Sequence, residues 1–108
     1  MKLRNVESRW EGHDILELQL DKIKDDQFAE QIQKRVYDPE SNDIKRLATD
    51  LVNNGQKEPI AVDPSFTKIW RGHRRFLAAK SAGLRSLKAI VLTEDEWMKG
   101  IQNGTIKP

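Results

Sequence analysis

The chain has no cysteine. That excludes disulfides, thiolate-bound metals and a cysteine nucleophile. Only two histidines are present, which argues against a histidine-based zinc site. Charge of one sign is also missing: 19 Lys and Arg face 17 Asp and Glu, for a formal net charge of +2. No global field therefore draws the chain to nucleic acid, and a polyanion site must come from local clustering. No apolar run approaches membrane-spanning length, and the first residues lack the core of a signal peptide, so the expected setting is cytoplasmic with no membrane partner. Internal repeats and low-complexity segments are absent. So are the Gly-x-x-x-x-Gly-Lys-Ser/Thr loop and the Gly-x-Gly-x-x-Gly fingerprint, which removes the Walker site and the dinucleotide fold.

What remains is a chain of 108 residues with 37% hydrophobic and 33% charged residues, the profile of one globular domain with a highly charged surface. Residues 1–14 read as an unpatterned arm, with Trp10 its one large apolar group and His13 isolated. Leu16, Leu18 and Leu20 alternate with polar residues and predict a half-buried strand. Phe28, Ala29, Ile32, Val36 and Tyr37 fall near helical spacing, with Asp25 or Asp26 as cap and Asp38-Pro39 as the stop. A second helix opens at Ser41-Asn42-Asp43. It carries Ile44, Leu47, Ala48, Leu51 and Val52 as its apolar stripe and stops at Gly55. Ile60-Ala61-Val62 and Thr67-Lys68-Ile69-Trp70 flank Asp63-Pro64-Ser65-Phe66 as a hairpin, with Pro59 at a tolerated strand start. A helix follows over about 73–82, with a thin face of Leu77, Ala78, Ser81 and Ala82. A strand spans 87–92, and Thr93 with Glu96 forms a capping box for a last helix carrying Trp97 and Ile101. The expected division is an arm over 1–14, an α/β domain over 15–103 and a tail over 104–108.

The stretch with chemistry in it is Ile69-Trp70-Arg71-Gly72-His73-Arg74-Arg75-Phe76-Leu77-Ala78-Ala79. It reads as a strand end, a glycine turn and a helix that opens on two arginines. Gly72 accepts backbone angles other residues avoid and lets a ligand approach the main chain. The first turn of the helix carries unpaired N–H groups and the positive end of the dipole. Arg74 and Arg75 add permanent charge with donors spaced for phosphate oxygens. Together these form a phosphate-binding corner; the competing reading is a plain strand–turn–helix junction with two solvated arginines. His73 is the candidate base for phosphate chemistry, since its proton affinity suits neutral pH. Lys68, Arg71, Arg74, Arg75, Lys80, Arg85 and Lys88 also concentrate positive charge. This leaves open a non-specific nucleic-acid binder in which Arg71, Lys80, Arg85 and Lys88 touch phosphates and Trp70 and Phe76 stack bases, although core packing suits both rings better.

Several blocks resemble the N-terminal domain of the ParB family, within the ParB/sulfiredoxin superfamily. They are Leu20-Asp21-Lys22-Ile23, the Leu47-Ala48-x-x-Leu51-x-x-x-Gly55-x-x-x-Pro59-Ile60-x-Val62 block, and Gly72-His73-Arg74-Arg75-Phe76-Leu77-Ala78-Ala79 followed by Gly83-Leu84. The likeness covers about residues 15–92. It implies a small ParB/sulfiredoxin-like α/β domain with a short mixed sheet flanked by helices. It also implies that Gly72, His73, Arg74 and Arg75 bind the phosphates of CTP or another nucleoside triphosphate with Mg2+. Gln33-Lys34-Arg35 resembles the family's Gln-Pro-Arg segment without its proline, which makes Gln33 and Arg35 further nucleotide contacts. The implied setting is DNA partition, maintenance or phage DNA biology, with DNA and a separate DNA-binding or dimerisation region beyond Pro108 as partners. A nuclease is also known on this fold, but no metal-binding carboxylate cluster supports cleavage. There are departures: His73 replaces the family's glutamate, and Thr93-Glu94-Asp95-Glu96 stands where a Glu-Asn-x-x-Arg motif is usual. Glu94 or Glu96 could supply the missing carboxylate. The sulfiredoxin branch needs a cysteine in its box, which this chain lacks. A free-serine kinase of the same fold pairs the corner with a carboxylate base, for which Glu7, Glu11 and Glu17 are candidates.

Overall fold

A computed structural model describes residues 4–10, 13–25, 27, 28, 30, 34 and 37–104, with the backbone alone over 4–10. Five strands form one mixed sheet: β1 (Arg4–Trp10), β2 (His13–Gln19), β3 (Ile60–Val62), β4 (Ile69–Arg71) and β5 (Ser86–Val91), in the order β1-β2-β5-β3-β4. Among the described residues three complete helices pack on it: α1 (Asn42–Asn54), α2 (His73–Ser81) and α3 (Glu94–Gln102). A 3-10 turn, Leu20–Lys22, closes β2. The expected small α/β domain with a mixed sheet between helices is what the chain forms.

The sheet is mixed because one connection crosses over. β3 and β4 form an antiparallel hairpin, and α2 then carries the chain back so that β5 lies parallel to β3, with Ala61 opposite Ile90. A parallel pair requires such a crossover. Side-chain alternation then divides the core. Leu18, Ile60, Val62, Ile69, Leu87 and Ala89 face α1 and α2. Ile15, Ala61, Ile90 and Leu92 face Trp97 of α3, with Trp70 and Ile101 packed against them. The sheet is thus covered on both sides.

Helix ends follow their sequence signals. Ser41 Oγ accepts the Ile44 N–H at 3.3 Å, and Gly55 closes α1 with φ +77°. In the capping box, Thr93 Oγ1 accepts from Glu96 N–H at 3.1 Å while Glu96 Oε1 accepts from Thr93 N–H at 3.0 Å. Gln56 acts as a surrogate strand partner beside β5: its amide donates to Lys88 O at 2.9 Å and accepts from Lys88 N–H at 2.6 Å.

Four expectations are corrected. The segment read as an unpatterned arm contains β1, which pairs antiparallel with β2. Its sequence, Arg4-Asn5-Val6-Glu7-Ser8-Arg9-Trp10, carries no apolar alternation to reveal it, and its register shifts twice. On β2, Ile15 and Leu18 are the buried residues and Leu16 is only half-buried, because both sheet faces are covered. Val52, placed in the α1 stripe, is 59% exposed, while Ile44 and Leu51 carry the packing. The buried face of α2 is Phe76, Leu77, Ala78 and Ala79, broader than the thin face expected, and Ser81 is exposed. That breadth arises because α2 lies against both the sheet and α1. The helix expected over 25–37 lies largely outside the described residues.

Candidate functional site

The corner begins where β4 ends. Gly72 caps α2 in the left-handed region at φ +103°. A Cβ built there would lie 2.5 Å from Ile60 Cγ2 and 2.9 Å from Ile60 Cβ. Glycine is therefore required twice, by its backbone angle and by the close approach of the turn to β3. These two demands fix the start of α2 against the sheet, and the Phe76 N–H donates back to Gly72 O at 2.9 Å. The N–H groups of the first turn ahead of Phe76 are the ones a helix leaves for a ligand or water.

Arg74 is exposed and Arg75 half-buried. Among the described residues no carboxylate pairs with either. Arg71, one turn earlier, is different: its Nη2 meets Glu58 Oε2 at 3.0 Å.

His73 has a partner that sequence reasoning assigned only to a helix cap. Its Nε2 lies 3.3 Å from Asp25 Oδ2, across 48 residues of chain. The Asp25 side chain is 5% exposed and His73's is 23% exposed. Asp25 Oδ2 also accepts from the Ile69 N–H at 2.8 Å, and Oδ1 accepts from the Phe28 N–H at 2.8 Å. One carboxylate thus joins β4, the turn at Phe28 and the start of α2. Because its oxygens act as acceptors, the His73 proton sits on Nε2. Phe28 and Tyr37 pack on the imidazole, with centroids 4.9 Å and 5.6 Å away, and Tyr37 lies within 19° of parallel.

Burial pushes the His73 imidazole below its ordinary value of 6.5, and the charge and hydrogen bond of Asp25 pull it only part of the way back. The folded state therefore binds the His73 proton less well than the unfolded chain does. Its contribution to stability is unimpaired above pH 6.5 and is lost as pH falls from there through the folded value. The expected result is a urea midpoint that drops between pH 7.5 and 5.5, with a shallower drop in His73→Gln. Equal slopes in the two proteins would remove the effect.

The remaining sequence candidates are scattered. Lys88 stands opposite Glu17 in the β2–β5 register, and Arg71 is on β4, two strands away from β5. Lys80 lies 5.0 Å over the buried Phe76 ring, and Arg85 is exposed in the loop before β5. Trp70 stacks on Trp97 and donates to Leu92 O at 2.9 Å, so both candidate base-stacking rings are used in packing. Glu96 serves the cap, and its other oxygen is 3.5 Å from His13 Nε2. Glu17 accepts from Ser86 Oγ at 3.2 Å. Gln33 and Arg35, and the side chains of Glu7, Glu11 and Trp10, lie outside the described residues. Among the described residues no group of three or more His, Asp or Glu could hold a metal. No helix among them is long and apolar enough to cross a membrane.

The α/β arrangement with its mixed sheet matches the ParB/sulfiredoxin-like fold of solved structures. Sulfiredoxin from Arabidopsis thaliana superposes with a TM-score of 0.58 at 24% identity, over 79% of this chain and 92% of that one. The C-terminally truncated chromosome-partitioning protein ParB from Caulobacter crescentus, complexed with CTP-gamma-S, gives a TM-score of 0.60 at 21% identity. That match covers 87% of this chain and 54% of the partitioning protein. A Pnob8-like ParB-N domain gives 0.56 at 20% identity, over 83% of this chain and 33% of its own. These likenesses establish the fold. The ParB N-terminal domain family matches residues 4–103, and the chain belongs to it. No curated protein sequence matches the chain.

Proposed function

We propose that this domain binds the phosphates of a nucleoside triphosphate, CTP or a close relative, at the Gly72–Arg75 corner. The observation that carries the reading is a helix start with two arginines that no described carboxylate occupies. Family membership and the CTP-gamma-S complex of the Caulobacter protein support it. Arg74 and Arg75 would hold the phosphate chain with charge-assisted bonds, and the amides of the first turn of α2 would take the remaining oxygens. Mg2+ would arrive on the phosphates, where it neutralises charge. Asp25, the carboxylate that reaches the corner, already takes two backbone donors and His73. The biological setting that follows is a cytoplasmic DNA-partition or maintenance system of chromosomal, plasmid or phage origin, with DNA engaged through another region or protein.

Calorimetry with CTP, ATP and GTP, each with magnesium, tests the reading. Heat is expected with at least one. Arg75→Ala should weaken that binding roughly ten- to hundredfold, since a charge-assisted contact contributes about 1.5–3 kcal/mol. Folded protein giving no heat with any of the three would refute it.

A second reading, a phosphotransferase or nucleotidase, is favoured by the Asp25–His73 pair. A histidine oriented by a buried carboxylate and held neutral is a competent proton acceptor. Phosphate release that is lost in His73→Ala while binding persists would select it over binding alone. The scatter of Arg71, Lys80, Arg85 and Lys88 gives the nucleic-acid reading no comparable site.

A further inference from the structure

Resting on the phosphate-binding reading above, we propose that the corner takes up its ligand together with a proton: His73 becomes charged when a phosphate chain occupies the start of α2. His73 is the first residue of α2, directly before Arg74 and Arg75. Its ring is held by Phe28 and Tyr37, and Nε2 is tied to Asp25 at 3.3 Å. With the side chain only 23% exposed, water cannot fully solvate an imidazolium at this position. The charge state is therefore set by neighbouring groups. Among the described residues those facing the ring are the Asp25 carboxylate and the Tyr37 phenol, with Arg74 and Arg75 following on the same helix.

In the free protein, burial outweighs the pull of Asp25 and the ring is neutral at pH 7. A polyphosphate at the helix start would add a second opposite charge beside the ring. An opposite charge at about 4–6 Å raises a histidine's proton affinity by roughly one unit or more. The doubly protonated ring keeps its Nε2–H bond to Asp25 and turns that hydrogen bond into an ion pair. Because the bound value lies above the free value, affinity is constant below the free value and falls as pH rises through the window between them. Ligand occupancy is thereby coupled to the contact that joins the corner to Asp25, and through Asp25 to the backbone of Phe28 and Ile69.

Proton NMR of the intact chain reads this directly, because only His13 and His73 give imidazole signals and His73→Gln identifies which is which. The titration is run without ligand and with saturating CTP and magnesium, and calorimetry reports binding under the same conditions. The expected result is an upward move of the His73 midpoint by about one pH unit or more. Heat of binding with an unmoved His73 midpoint would overturn the proton linkage and leave the phosphate corner standing. No heat with CTP would remove this proposal along with that reading for CTP.

Discussion

Gly72→Ala is expected to lower the unfolding free energy by about 3 kcal/mol, the sum of a backbone and a steric cost. The left-handed angle of φ +103° costs a residue with a side chain about 1–2 kcal/mol. The new methyl must also displace Ile60, whose Cγ2 lies 2.5 Å from where it would stand. Overpacking of this kind adds roughly 1–3 kcal/mol. Ile60 is fully buried in β3 and cannot swing aside without disturbing the core. For a domain of this size the loss is a large share of a total of about 5–15 kcal/mol. Gly83 supplies the internal control. Its φ is +76°, yet nothing lies within 4 Å of an added Cβ. Gly83→Ala should therefore show the backbone part alone, about 1–2 kcal/mol. Urea unfolding of both variants decides the matter, and equal losses would mean that Ile60 imposes no constraint on the turn. The comparison bears on function because the same glycine is what places Arg74 and Arg75 at the head of α2.

Much of the frame around that glycine was readable because it depends on local patterns. The stripe of Ile44, Leu47 and Leu51, bracketed by Ser41 and Gly55, needs only helical periodicity and two caps. The β3–β4 hairpin needs a turn between two short apolar runs. The Thr93–Glu96 capping box is a spacing of three. The Gly72 turn and the two arginines are contiguous, so their place at the start of a helix follows directly. Three features could not be read in this way. β1, Arg4–Trp10, carries no apolar alternation, so its side-chain pattern does not mark it as a strand. Ile15 is buried because α3 covers the second sheet face, and that depends on where a helix some eighty residues later packs. Asp25 reaches His73 and Ile69 only after β4 and α2 are in position. A signal for it did exist: an acid at a helix start is expected to cap, and Asp25 does accept the Phe28 N–H. What the spacing could not reveal is that its second oxygen faces inward and serves two further donors.

That second role makes Asp25→Ala the other substitution with a large expected effect. The alanine would leave the Ile69 N–H without its acceptor at a part-buried position, costing about 1–3 kcal/mol. It would also remove the bond to the Phe28 N–H, whose loss at a helix start costs about 1 kcal/mol. A total near 2–4 kcal/mol is expected from chemical denaturation. Asp25→Asn should lose less, because an amide oxygen can still accept from one of the two backbone donors. The asparagine variant also separates charge from hydrogen bonding at His73. Asp25 raises the proton affinity of that ring through both its charge and its hydrogen bond, against the larger effect of burial. Removing the charge moves the folded-state value further below 6.5 and leaves the unfolded chain unchanged. The gap between folded and unfolded proton binding widens, so stability should fall more steeply with acid in Asp25→Asn than in the parent between pH 6.5 and 5. Adding His73→Gln to Asp25→Asn should cancel the extra steepness, since no titrating ring is left. If the double variant keeps it, the acid sensitivity arises elsewhere and the Asp25–His73 contact does not set the charge state of the corner.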